Sequence, residues 1–175
     1  LTALQDEIEQ RYTRNPRDAE ALLSEAEIAL LRHDGEEALP LLRRIAPEKM
    51  TADQQARLHK NLVEALTGVI RNHLAESESD LAELGRLATT PEEKLLHLDL
   101  SAERWLALGQ HPQAFSIFWT LAGETFSGQV SRTDDPKVSV ERTIWLSGRL
   151  KDAWSTADRE SREQIDARLA EIVAE

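Results

Sequence analysis

The side chains that could carry chemistry are few and poorly grouped. The chain has five histidines and no cysteine, which excludes disulfides, thiolate catalysis and cysteine-based metal centres. A helical metal site needs two ligands three or four residues apart, with further ligands from elsewhere. His73 with Glu76 comes nearest, but no second histidine stands at that spacing. The sequence therefore predicts neither a metal site nor a bound cofactor.

One short segment concentrates an imidazole, a hydroxyl and two carboxylates. On a helix of 3.6 residues per turn, His97 shares a face with Ser101, whereas Asp99 shares a different face with Glu103. No nucleophile elbow of the Gly-x-Ser-x-Gly type and no phosphate-binding Gly-x4-Gly-Lys loop occurs in the chain. These residues are more simply exposed groups on a helix, so we do not expect an enzyme.

The charge of the chain is strongly negative. The formal net charge is -11, and positions 76–103 hold eight carboxylates against two basic side chains. This balance disfavours nucleic acid and anionic lipid surfaces as partners and favours a basic peptide. The alternative is that the carboxylates are ordinary solvated helix faces. No apolar run reaches the roughly 18 residues of a membrane span, so direct membrane insertion is not expected.

Helix starts are marked by capping residues. Thr51 and Gln54 form a capping-box pattern ahead of a helix that runs to about Asn72. Three further starts are predicted, each from a pair or group of residues: Ser77 with Asp80, Thr90 with Glu93 behind Pro91, and Thr156 or Asp158 in the turn 155–158. Because β-branched alternating runs are missing, strands are not expected and the chain is predicted to be all-α.

Two helical hairpins share one fingerprint of small and large apolar residues. The first copy has Leu22, Ala26, Ala29, Ala38, Leu42 and Ile45, and the second has Leu98, Ala102, Trp105, Ala114, Phe118 and Leu121, at the same relative positions. This pattern resembles the tetratricopeptide repeat (TPR). The resemblance implies antiparallel hairpins stacked as a short right-handed superhelix that binds a protein or peptide on its concave surface.

The organisation predicted along the chain has three parts. Residues 1–124 form the TPR-like array, 125–137 a loop, and 138–175 a closing helical pair. The middle hairpin, 51–88, is a diverged repeat in which Ala82 takes the small position of the second helix. Residues 1–14 would be the second helix of an earlier hairpin, so the chain is interpreted as a fragment of a longer polypeptide.

The C-terminal part is similar to a second group of proteins. These are planctomycete proteins that combine TPR-like helices with a pyrroloquinoline-quinone-type β-propeller. The matching residues are Val140, Arg142, Trp145, Leu146, Gly148, Arg149, Leu150, Trp154, Ile165 and Asp166. The resemblance implies a helical arm that docks on a propeller of the same polypeptide, and it favours the bacterial periplasm or cell envelope in a chain whose compartment is otherwise open. The quinone cofactor has no visible site here.

A partner-binding surface can be predicted from the repeat register. The residues expected to face outward from the first helix of each hairpin are Glu20, Glu27, Asn61, Glu64, Asp99 and Glu103. Trp119 is a further candidate, because it follows Phe118 directly and both cannot enter the same core. The partner is a protein or peptide, possibly basic, or another domain of the same polypeptide. A docked arm should instead expose an apolar patch around Trp119, Trp145 or Trp154.

Overall fold

The backbone is helical over most of the residues that the structure describes. The computed structural model describes residues 19–47, 50–126 and 136–174, with side chains over 19–47, 50–122 and 143–171. Within these ranges it has eight α-helices and no strand, which confirms the all-α prediction. The helices are α1 (Ala19–Leu31), α2 (Gly35–Arg43), α3 (Ala52–Asn72), α4 (Glu78–Leu87), α5 (Pro91–Ala107), α6 (His111–Phe126), α7 (Pro136–Ser155) and α8 (Arg159–Ala174), with a 3-10 turn at Leu74–Glu76. The helix predicted over 1–14 lies outside the described residues.

Two predicted capping boxes are present and confirm the starts of α3 and α5. The Thr51 hydroxyl accepts from the Gln54 amide at 3.3 Å, and the Gln54 side chain accepts from the Thr51 amide at 3.1 Å. Thr90 and Glu93 make the same reciprocal pair at 3.2 and 3.0 Å. Pro91 opens α5, where its missing N–H leaves no helical hydrogen bond unmade. Each box satisfies amides that the first helical turn cannot pair internally.

The other two predicted caps differ in outcome. The Asp158 carboxylate accepts from the Ser161 amide at 2.7 Å and caps α8. The start predicted at Ser77 is confirmed, because α4 begins at Glu78, but the Ser77 hydroxyl donates back to the Leu74 carbonyl at 2.8 Å. Ser77 thereby closes the 3-10 turn before α4.

The turn between α1 and α2 ends the first helix with a left-handed residue. His33 has φ 60°, and its amide donates to the Leu30 carbonyl at 2.8 Å. The Asp34 amide reaches back to the Ala29 carbonyl at 3.0 Å, completing a Schellman-type C-cap. The Asp34 carboxylate then accepts from the Glu37 amide at 2.9 Å and starts α2. One short segment thus stops one helix and begins the next.

The turn between α5 and α6 repeats this geometry 76 residues later. Gly109 has φ 71°, and its amide donates to the Leu106 carbonyl at 3.0 Å. The Gln110 amide donates to the Trp105 carbonyl at 2.8 Å. The two hairpins that share a fingerprint therefore also share a turn.

The described chain divides into two compact units. The first contains residues 19–73 and 79–87, and the second contains 74–78 and 88–174. In the first, α1 packs against α2 and α3, and α2 packs against α3. In the second, α5 packs against α6, and α6 packs against both α7 and α8. The predicted division into an array and a closing pair stays a prediction.

The fingerprint residues form the centres of both cores. All six of the first hairpin are buried, as are Ala102, Ala114, Phe118 and Leu121 of the second. Leu98 and Trp105 are partly buried against the second core. This core also takes in Leu146, Ala153, Ala157 and Ile165, so α7 and α8 close over α6.

A glycine sets the closest approach between two helices of the first unit. A Cβ built on Gly35 would lie 2.7 Å from the Ala65 carbonyl oxygen. One built on Gly68 would lie 3.7 Å from the Gly35 Cα. The N-terminus of α2 can therefore contact the backbone of α3 only because position 35 has no side chain.

Two predictions, one about a packing position and one about the bounds of a loop, need correction. Ala82 is exposed, whereas Leu81 and Leu84 of α4 are buried, so Ala82 is not the buried small residue of a repeat. The predicted loop 125–137 is shorter, because α6 runs to Phe126 and α7 begins at Pro136. The remainder, 127–135, lies outside the described residues. No described helix is both long and apolar enough to cross a bilayer.

Candidate binding surfaces

The polar contact between α1 and α3 is built around Arg57. Its guanidinium binds the Glu27 carboxylate through two hydrogen bonds of 3.0 and 2.9 Å, and Glu20 at 2.8 Å. The Asn61 amide donates to Glu27 at 3.1 Å, and the Gln54 amide donates to Glu20 at 2.9 Å. This group of five side chains, which we call the Arg57 network, joins the two helices.

The network changes the interpretation of three predicted site residues. Asn61 is buried, so the expectation that it faces outward is wrong; the Glu27 carboxylate on α1 draws it into the helix contact. Glu20 and Glu27 remain partly exposed, but both share the positive charge of Arg57. The hydrogen bonds that the Arg57 guanidinium donates to Glu27, and then to Glu20, raise its pKa above the ordinary value. The Arg57 guanidinium therefore offsets one of the two negative charges of Glu20 and Glu27.

Asp99 and Glu103, both predicted site residues, meet an arginine in the second unit. Arg149 of α7 forms a hydrogen-bonded ion pair with Glu103, and its guanidinium lies 3.7 Å from Asp99. These three side chains are more than two-thirds buried. The ion pair joins α5 to α7 and leaves little of either carboxylate for a partner.

Arg149 also orders an exposed aromatic ring. Its guanidinium lies 5.6 Å from the centroid of Trp145, a cation–π distance. The Phe118 ring meets Trp145 edge-on at 6.3 Å between centroids. Trp145 nevertheless remains 38% exposed, so its orientation is held while part of its apolar surface stays in water. Arg142 is another of the residues that carry the C-terminal resemblance, and its side chain lies outside the described residues.

Two more tryptophans are partly exposed. Trp119 on α6 stacks on Phe115 at 6.2 Å with 38% of its surface in water. Trp154 is 41% exposed. Its indole N–H donates to Asp166 at 3.0 Å, and the Arg162 guanidinium lies over its ring.

Glu64 differs from the other predicted carboxylates. It is exposed on α3 and makes no hydrogen bond or ion pair with another described residue. It is the predicted site residue whose charge is available to a partner without displacing an internal arginine.

The side chains considered as catalytic or metal-binding candidates make contacts within the protein. The Ser101 hydroxyl donates to the His97 carbonyl at 2.7 Å, an ordinary contact one helical turn back. The His73 Nε2 atom lies 2.9 Å from the Glu36 carboxylate on α2. Among the described residues, no group of three or more His, Asp or Glu side chains is placed to hold a metal ion.

Sequence reasoning missed Arg57 and Arg43, two arginines that join helices. Besides Arg57, Arg43 of α2 binds Asp80 at 2.8 Å and also pairs with Glu83 on α4. Hydrogen bonding to Glu83 raises the pKa of the Arg43 guanidinium. The one available signal is helical register. Arg57 lies one turn before Asn61 on α3 and therefore shares the face on which the repeat register places Asn61. No signal within α3 identifies a partner on α1.

Comparison with protein-family models, curated proteins and solved structures finds no match to this chain. Any functional conclusion therefore depends on the geometry described above.

Proposed function

We propose that this chain is a non-enzymatic, TPR-like module that binds or scaffolds proteins, with its antiparallel hairpins stacked as a right-handed superhelix. The observation that carries the proposal is the repeated pair of contacts from Glu27 to Arg57 and from Glu103 to Arg149. In each unit the acid lies on the first helix of a fingerprint hairpin and the arginine lies on the helix after that hairpin. Stacked repeats place successive first helices side by side in this way.

The local chemistry supports binding over catalysis. The Ser101 hydroxyl is hydrogen-bonded to the backbone one turn back, and the Glu103 and Asp99 carboxylates form ion pairs with Arg149. Repeat arrays instead present an extended surface on which a partner lies. A partner that recognises the α1–α3 face would meet the Arg57 network and, beside it, Glu64. A basic side chain on the partner is thus expected opposite Glu64, and opposite few of the other acids.

Site-specific cross-linking tests the binding proposal. A photo-reactive amino acid at position 64 should give cross-links to one partner protein in lysate of the source cells. The same probe at position 120, which is exposed on α6, is the matched control. Glu64→Lys should weaken capture of that partner at low salt, and Glu64→Gln should weaken it less. Equal cross-linking from both positions, or capture unaffected by Glu64→Lys, contradicts the proposed face.

A second candidate function is favoured by the exposed tryptophans. Trp119, Trp145 and Trp154 are each about two-fifths exposed, and exposed tryptophans are common at protein contacts. A helical arm that docks on another domain of the same polypeptide, such as the propeller implied by the sequence resemblance, would cover them. This candidate needs no separate partner protein.

The native polypeptide distinguishes the two candidates. Its mass in the source cells, detected with an antibody against this chain, should be well above 19.7 kDa if the arm is part of a propeller protein. Acrylamide quenching of tryptophan fluorescence should also be lower for residues of this chain within the larger polypeptide than in the isolated chain. A native mass near 19.7 kDa removes the docked arm and leaves the free-standing binding module.

A further inference from the structure

No further inference is drawn: the strongest candidate, the outward face of α7 on which Ile144 and Trp145 are exposed beside Gly148, is an unpartnered helix face, and nothing in the structure shows what covers it.

Discussion

Glu103 repeats the position of Glu27 76 residues further along the chain, and each carboxylate binds an arginine two helices ahead, Arg149 and Arg57 respectively. The hairpins that carry these acids also match in their buried fingerprint and in the hydrogen bonds of their turns. The correspondence therefore extends from sequence to backbone and to contacts between helices. It is the main structural support for the repeat interpretation.

The Arg57 network is expected to stabilise the first unit. Arg57→Ala should lower the free energy of unfolding by about 1–2 kcal/mol, because it removes a two-pronged hydrogen bond and leaves Glu20 facing Glu27. Urea denaturation followed by circular dichroism measures the loss. Arg159→Ala is the control, since Arg159 is 93% exposed in its ion pair with Glu163 and should cost less than about 0.5 kcal/mol. Equal losses for the two variants would show that the network adds nothing beyond a surface pair.

Gly35→Ala should destabilise the first unit by about 1–3 kcal/mol, although alanine ordinarily favours a helix. The reason is the carbonyl of Ala65, which lies 2.7 Å from the position of the new methyl group. Thermal and urea unfolding of the variant give the magnitude.

Gly148→Ala is the matched control for that substitution. Gly148 is also helical, but no described atom lies within 4 Å of a Cβ added there. The variant should be more stable than the wild type by about 0.5–1 kcal/mol, because alanine loses less conformational entropy on folding. If both glycine variants are stabilised, the close approach of α2 to α3 is not as described.

The capping box of α5 should be worth about 1 kcal/mol, the usual cost of replacing a threonine N-cap by alanine. Thr90→Ala leaves the Glu93 amide without the acceptor that it has at 3.2 Å, and Thr90→Ser should retain most of the stability. Thr120→Ala, on the exposed side of α6, is expected to change stability by less than about 0.5 kcal/mol. A Thr90→Ala variant as stable as Thr120→Ala would be incompatible with a functioning cap.

Asp158 should make stability depend on pH in the acid range. The hydrogen bond from the backbone amide of Ser161, together with one from its side chain, lowers the pKa of the Asp158 carboxyl. A lowered folded-state pKa means that the stabilisation is fully present above the unfolded-state value near 4 and is lost as pH falls through the lower folded-state value. Asp158→Asn keeps an acceptor at the cap but does not titrate.

Thermal unfolding between about pH 2 and pH 5 checks this expectation. On acidification, the melting temperature of the wild type should fall further than that of Asp158→Asn. If the two melting curves shift in parallel, the carboxylate of Asp158 does not contribute through its charge.

Local features of this fold follow from the sequence because their partners are close in the chain. Thr51 and Gln54 cap α3 from positions three residues apart, and the pattern of apolar residues identifies Leu22 or Phe118 as core from helical spacing alone. Ser77 was predicted as a cap from the same kind of spacing, but its hydroxyl can reach the Leu74 carbonyl as well as an amide ahead. A residue with two possible local partners cannot be assigned from spacing.

The candidate surface was harder to predict, because it depends on residues that are distant in sequence. Arg57 binds Glu27 across 30 residues, and Arg149 binds Glu103 across 46. Register indicates that Glu27 lies off the core, but it cannot distinguish water from an arginine on a neighbouring helix. Asn61 shows the same limit, since the buried amide depends entirely on a carboxylate of α1.

The packing of helices against their neighbours in chain order also bears on how fast the protein folds. The ion pairs that join described helices span 26 to 50 residues, and most helix packing is between neighbours or next neighbours in order. The entropy lost in closing such loops rises only slowly with their length, and helical proteins rich in local contacts fold in microseconds to milliseconds. The main phase of refolding in a stopped-flow experiment should therefore be over within milliseconds, followed by slower phases from the X-Pro bonds of the six prolines.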